Sequence, residues 1–141
     1  MKKIKYNEWV CPKGTHHARI TDASIIWQPS KGGDDEEVIC IRFQLTSLQH
    51  PLKVFQAKKF YRCWDIKNFI EDFSMIIGEE TVARMFDSDS ELIPASLATI
   101  KGLEVDIEIV HQHNLRFPDP LCIVSKIEPC GALVPDLDYA V

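Results

Sequence analysis

The chain has 141 residues, with 16 Lys and Arg against 21 Asp and Glu and a formal net charge of −5. That length suits one ordinary domain and excludes a large multidomain enzyme. A hydrophobic fraction of 45% and a charged fraction of 26% exclude wholesale disorder, while the acidic balance argues at first against a polyanionic partner.

The N-terminus, Met1-Lys2-Lys3-Ile4-Lys5, is basic but has no apolar run behind it, so it reads as an arm and not as a secretory signal. No stretch reaches the roughly 18 apolar residues of a membrane span. Residues 16–27 are rich in β-branched side chains and read as a first strand, with a bend or bulge expected because neither face is uniformly apolar. Residues 28–37, with a Gly pair and four acids, read as a solvated hairpin loop. In 38–46, Ile39, Ile41, Phe43 and Leu45 form one apolar face and Arg42 and Gln44 the other. A turn over 47–51 leads to a third strand, 52–62.

The period then changes. Ile66, Phe69, Ile70, Phe73 and Ile77 recur at three and four, which predicts a helix over 65–77 with Asp65 as N-cap and Gly78 as stop. A short helix over 79–86 and a loop over 87–94 follow. Residues 97–110 read as the fourth strand, and Glu104, Asp106 and Glu108 as its exposed face. A loop, 111–120, and a last strand, 121–128, complete the order β-β-β-α-β-β. That is the order of a five-stranded Greek-key barrel, the OB-fold, with a five-stranded α+β sheet as the alternative. Residues 1–130 are read as one domain with an N-terminal arm, and 131–141 as a short tail.

The five cysteines, Cys11, Cys40, Cys63, Cys122 and Cys130, are odd in number and form no C-x-x-C pair. They predict a reducing, cytoplasmic setting with neither disulfides nor zinc. Cys11 with His16-His17, and His111 with His113, come nearest to ligand spacing, and no metal or other cofactor is expected. The run Asp34–Glu37 reads as solvated acid. No G-x-S-x-G and no phosphate-binding glycine loop occurs, so the chain is read as a non-enzyme.

Charge is divided unevenly. Residues 1–67 hold 12 basic and 7 acidic residues, and residues 68–141 hold 4 and 14. The basic half ends on Lys58-Lys59-Phe60-Tyr61-Arg62-Cys63-Trp64, where cations and aromatics interleave. Single-stranded nucleic acid needs both groups, cations for phosphates and ring faces for bases. The expected interface is Lys58, Lys59, Arg62 and Arg42 for phosphates, with Tyr61, Phe55 and Trp27 for stacking. Arg116 and Phe117 join it from the loop after the fourth strand. Phe60 and Trp64 are read as packing residues, and Lys58 and Lys59 have the alternative of a simple edge-strand charge pair.

Gly14-Thr15-His16-His17-Ala18-Arg19-Ile20, the second-strand run Ile39–Phe43 and the segment Ile100-Lys101-Gly102-Leu103-Glu104-Val105 behind a helix together carry a resemblance. The chain resembles the small OB-fold single-stranded DNA-binding proteins of bacteriophages and mobile elements, over about residues 14–128. The resemblance implies sequence-nonspecific binding of single-stranded DNA in replication or recombination, without a cofactor, and with replication or recombination proteins as further partners. The acidic tail with a terminal aromatic common in such proteins is not matched, because Pro135–Val141 has two acids and Tyr139 is not last. The rival reading is a protein–protein interaction adaptor with an OB-like or small α+β fold. DNA and RNA are not distinguished, and the oligomeric state stays open.

Overall fold

A computed structural model describes residues 10–30, 32–47, 50–113 and 115–131 of the chain. The expected N-terminal arm over residues 1–9 and nearly all of the expected tail fall outside that range. Three long strands come first: β1 (Gly14–Pro29), β2 (Asp35–Ser47) and β3 (His50–Arg62). β1 pairs with β2 from Ala18↔Leu45 to Pro29↔Asp35. The acids Asp35, Glu36 and Glu37, expected in a loop, therefore extend β2, and across the hairpin tip the Ser30 N–H and its hydroxyl donate to the Asp34 carbonyl. The register slips between Ile20 and Asp22, which is the expected bulge. Before the bulge β1 also pairs with β4 (Glu104–Gln112), from Gly14↔Ile109 to Arg19↔Glu104. Past it β1 leaves β4 and continues with β2 alone.

Two helices, α1 (Lys67–Ile77) and α2 (Glu79–Ala83), follow β3. Ile66 and not Asp65 stands at the N-cap of α1, and no side chain caps it. Gly78 ends α1 at φ 92°, ψ 151°, a region essentially restricted to glycine, and starts α2 in the same step. The fourth strand is shorter than its apolar run suggested. Pro94–Ile100 form a 3-10 helix that buries Leu97 and Ile100, three residues apart, before the chain enters β4. The last strand, β5 (Leu121–Pro129), pairs with β4 with a slip opposite Glu108 and Ile109.

One apolar layer lies between the inner face of the sheet and the helices. Ile20, Ile39, Ile41, Phe43, Val105, Ile107 and Ile109 fill it from the strands, and Phe69, Phe73, Val82 and Met85 from the helices. Tyr61 joins the two sides. Its ring meets Phe69 edge-on at 5.5 Å, and its hydroxyl donates to Asp72 Oδ2 at 2.7 Å.

The closed OB-fold barrel expected from the element order does not form. The strand order is β3-β2-β1-β4-β5, all neighbours antiparallel, which leaves β3 and β5 as the two edges of an open sheet. Closure needs a backbone ladder between the edges. Among the described residues none joins them, and the Val124 carbonyl of β5 instead accepts from the half-buried Lys59 ammonium of β3 at 3.3 Å. The fold is the five-stranded α+β sheet held as the alternative. A second correction concerns β4. Glu104 is exposed as expected, but Asp106 is 1% exposed. No helix among the described residues is long and apolar enough to cross a membrane.

Candidate nucleic-acid interface

Alternation along β3 sends Phe55, Ala57 and Tyr61 to the core and Gln56, Lys58, Phe60 and Arg62 outward. Tyr61, expected to stack, faces the core, and Phe60, expected to pack, faces outward. Tyr61 is 4% exposed and Phe55 2%, so neither can stack on a base, whereas Phe60 is 45% exposed. Burial, reinforced by the Asp72 carboxylate, pushes the Tyr61 phenol well above its ordinary range.

Arg42 on β2 and Lys58 on β3 are direct register partners, and both side chains are exposed. Neither has a carboxylate at ion-pair distance among the described residues. Arg42 also faces Asp22 across the β1–β2 ladder, but that carboxylate is held by Lys101 at 3.2 Å. Phe60 is two residues beyond Lys58 on the same face. Lys59 points inward, with its ammonium 5.1 Å from the centre of the Tyr61 ring. Burial lowers its pKa, and Asp72 partly opposes the shift.

These residues border a groove of about 600 Å³ in the seam between the two sheet edges. Arg42, Gln56, Lys58, Lys59 and Phe60 form one wall, and Leu121 to Val124 of β5 the other, with no carboxylate and no histidine among the lining residues. The wall offers cations, two amide or guanidinium donor sets and one ring face. The arrangement suits an extended anionic chain with flat groups between its charges.

The other expected residues lie elsewhere. Arg62 Nε is 3.4 Å from Glu36 Oε1, and its guanidinium lies 5.4 Å from the Trp64 ring. Trp64 donates to Glu36 Oε2 at 2.9 Å, so Arg62, Glu36 and Trp64 form a closed set. Trp64 is 67% exposed and so is not the packing residue expected. With Trp27 it borders a second groove, whose lining includes Asp35, Glu36, Glu37 and Glu91. Four carboxylates there repel phosphate, and Trp27 and Arg62 lie apart from the groove of Arg42 and Lys58. Arg116 and Phe117 are exposed in the loop between β4 and β5 and line neither groove. Of the nine residues expected at the interface, Arg42, Lys58 and Lys59 come together. The aromatic beside them is Phe60, whose outward face follows once Tyr61 is seen to be held by α1.

Compared with known proteins, the chain matches no protein-family model and no curated protein sequence.

Proposed function

We propose that this protein binds single-stranded DNA without catalysis and without sequence preference, through the groove of Arg42, Lys58, Lys59 and Phe60. The observation behind the reading is the cross-strand pair Arg42–Lys58, with no carboxylate at ion-pair distance among the described residues, beside an outward aromatic ring. Phosphates take the cations and one or more bases stack on Phe60. A lining without carboxylate or histidine supports binding over hydrolysis. The proposed setting is the replication or recombination of a phage or mobile element, with proteins of that machinery as partners. All five cysteines are free thiols, which supports a cytoplasmic location.

Fluorescence anisotropy with a labelled oligothymidine tests the reading. Binding is expected at low salt, and Arg42→Glu with Lys58→Glu should weaken it more than tenfold at an unchanged melting temperature. Phe60→Ala should cost about 1–3 kcal/mol of binding. A folded sample that shows no binding at low salt overturns the proposal.

A second reading, a protein-interaction adaptor, is favoured by the groove between Trp27 and Trp64. Its carboxylates and exposed rings suit a Lys- or Arg-bearing partner, and an open α+β sheet is the architecture that reading assumed. Retention of a basic protein, lost in Trp27→Ala and independent of oligonucleotide, distinguishes it from the first.

A further inference from the structure

We propose that His17, Asp106 and Cys130 form a zinc-binding site at the junction of β1, β4 and the end of β5. His17 and Asp106 are register partners on β1 and β4, and Cys130 directly follows β5. The three side chains approach one another from residues far apart in sequence, so no ligand spacing announces them.

Two of the three donor-to-donor edges have the length a metal's coordination shell sets, and the third closes within 4.8 Å. Asp106 Oδ1 is 3.4 Å and Cys130 Sγ 3.3 Å from the same atom, His17 Nδ1. All three donor atoms lie within 4.8 Å of one another. Tetrahedral zinc, with bonds of about 2.0–2.3 Å to nitrogen, oxygen and sulfur, sets its ligands about 3.3–3.6 Å apart. A thiolate, an imidazole and a carboxylate together suit a borderline-soft ion such as zinc better than magnesium or calcium.

The surroundings orient the ligands. Glu104 Oε1 is 3.3 Å from His17 Nε2, and in the tautomer whose Nε2–H donates to that carboxylate the Nδ1 lone pair is free. The Gly131 backbone N–H donates to Asp106 Oδ2, which leaves Oδ1 directed at the cluster. Two acceptors, Nδ1 and Oδ1, therefore face each other with only the Cys130 thiol proton between three atoms. A cation resolves that conflict. Zinc entering the site bonds to sulfur, nitrogen and oxygen, and the thiol proton leaves to solvent. Three protein ligands leave a fourth position for water. The competing arrangement is a doubly protonated His17 bridging Asp106 and Glu104, which needs no metal.

The test uses the full chain, reduced and stripped of metal, titrated with Co²⁺ and then Zn²⁺. One equivalent of Co²⁺ should give the absorption of a tetrahedral site with a thiolate-to-cobalt charge-transfer band, and Zn²⁺ should displace it and raise the melting temperature. Cys130→Ser should lose the charge-transfer band and His17→Gln the stoichiometric binding. Glu104→Gln should weaken zinc about 10–100-fold, and Cys63→Ser should bind as the parent chain does. His17, Glu104 and Cys130 are exposed, so these variants leave the core intact. Absence of a cobalt spectrum in the folded chain, or a spectrum unchanged by Cys130→Ser, overturns the proposal and leaves the protonated histidine bridge. Neither result depends on the anion groove, which shares no residue with this cluster.

Discussion

Phe60 and Tyr61 are neighbours on β3, and the pleat of the strand sends them to opposite faces. Tyr61 is held by Phe69, Phe73 and the Asp72 carboxylate of α1. Tyr61→Phe should cost about 1.5–3 kcal/mol in denaturant unfolding, the range for a hydrogen bond to a charged group, and leave DNA affinity unchanged. The alternation that parts the two rings is legible in the sequence. Which ring faces inward is not, because the helix that decides it comes later in the chain. Cys11 gives a second consequence at this scale. Burial, reinforced by Cys122, raises its thiol from the ordinary 9.0 to about 12. Below pH 9 the thiol is protonated in both the folded and unfolded chain. Between pH 9 and about 12 the unfolded chain loses that proton and the folded one keeps it, so stability falls as pH rises. The alkaline decline of the melting temperature should be shallower in Cys11→Ala.

Helix α1 and the fourth strand show how far periodicity reaches at the level of elements. Phe69 and Phe73 are both buried, as the spacing of four requires, and Gly78 ends the helix where its backbone angles demand glycine. No atom lies within 4 Å of a Cβ placed on Gly78, so Gly78→Ala pays only for the backbone conformation. The cost should be about 1–3 kcal/mol, measured by urea unfolding. Val105, Ile107 and Ile109 alternate as a strand must, and they are one. The expectation extended that strand back to Leu97. Leu97 and Ile100 are instead buried at a spacing of three, a period that a run of apolar letters does not separate from a strand. Asp106 was misplaced for a related reason. Alternation assigned it to the polar face, and only the pairing with His17 and the turn at Gly131 show that face to be covered there.

Over the whole molecule, the net charge of −5 hides a separation that the fold makes spatial. The groove at the seam has cations and no acid, and the groove between Trp27 and Trp64 has acids and Arg62 already engaged. Three cations at the seam predict a shallow salt dependence. With Arg42, Lys58 and Lys59 on phosphates, log K against log salt should fall with a slope of about −2, and Lys58→Gln should reduce it by about 0.7. The uneven charge of the two halves was legible in the sequence, as was the succession of strands and helices along the chain. The open seam was not, because closure turns on whether two strands separated by the helices, β4 and a loop exchange backbone hydrogen bonds.

That seam leaves β3 with an edge of thirteen residues whose outward side includes the exposed Leu52, Val54 and Phe60. An edge strand with exposed apolar side chains is a template on which another copy of the same chain can add its own edge, and so begin a fibre. The outward Lys58 and the half-buried Lys59 lie within that stretch, and two edges brought together would bring like charges near each other. The cations proposed to attract DNA would thus also keep copies of the protein apart. Replacing them with Thr and Val should therefore produce concentration-dependent light scattering even where the fold survives, and an anionic strand lying in the seam should suppress it in the parent chain.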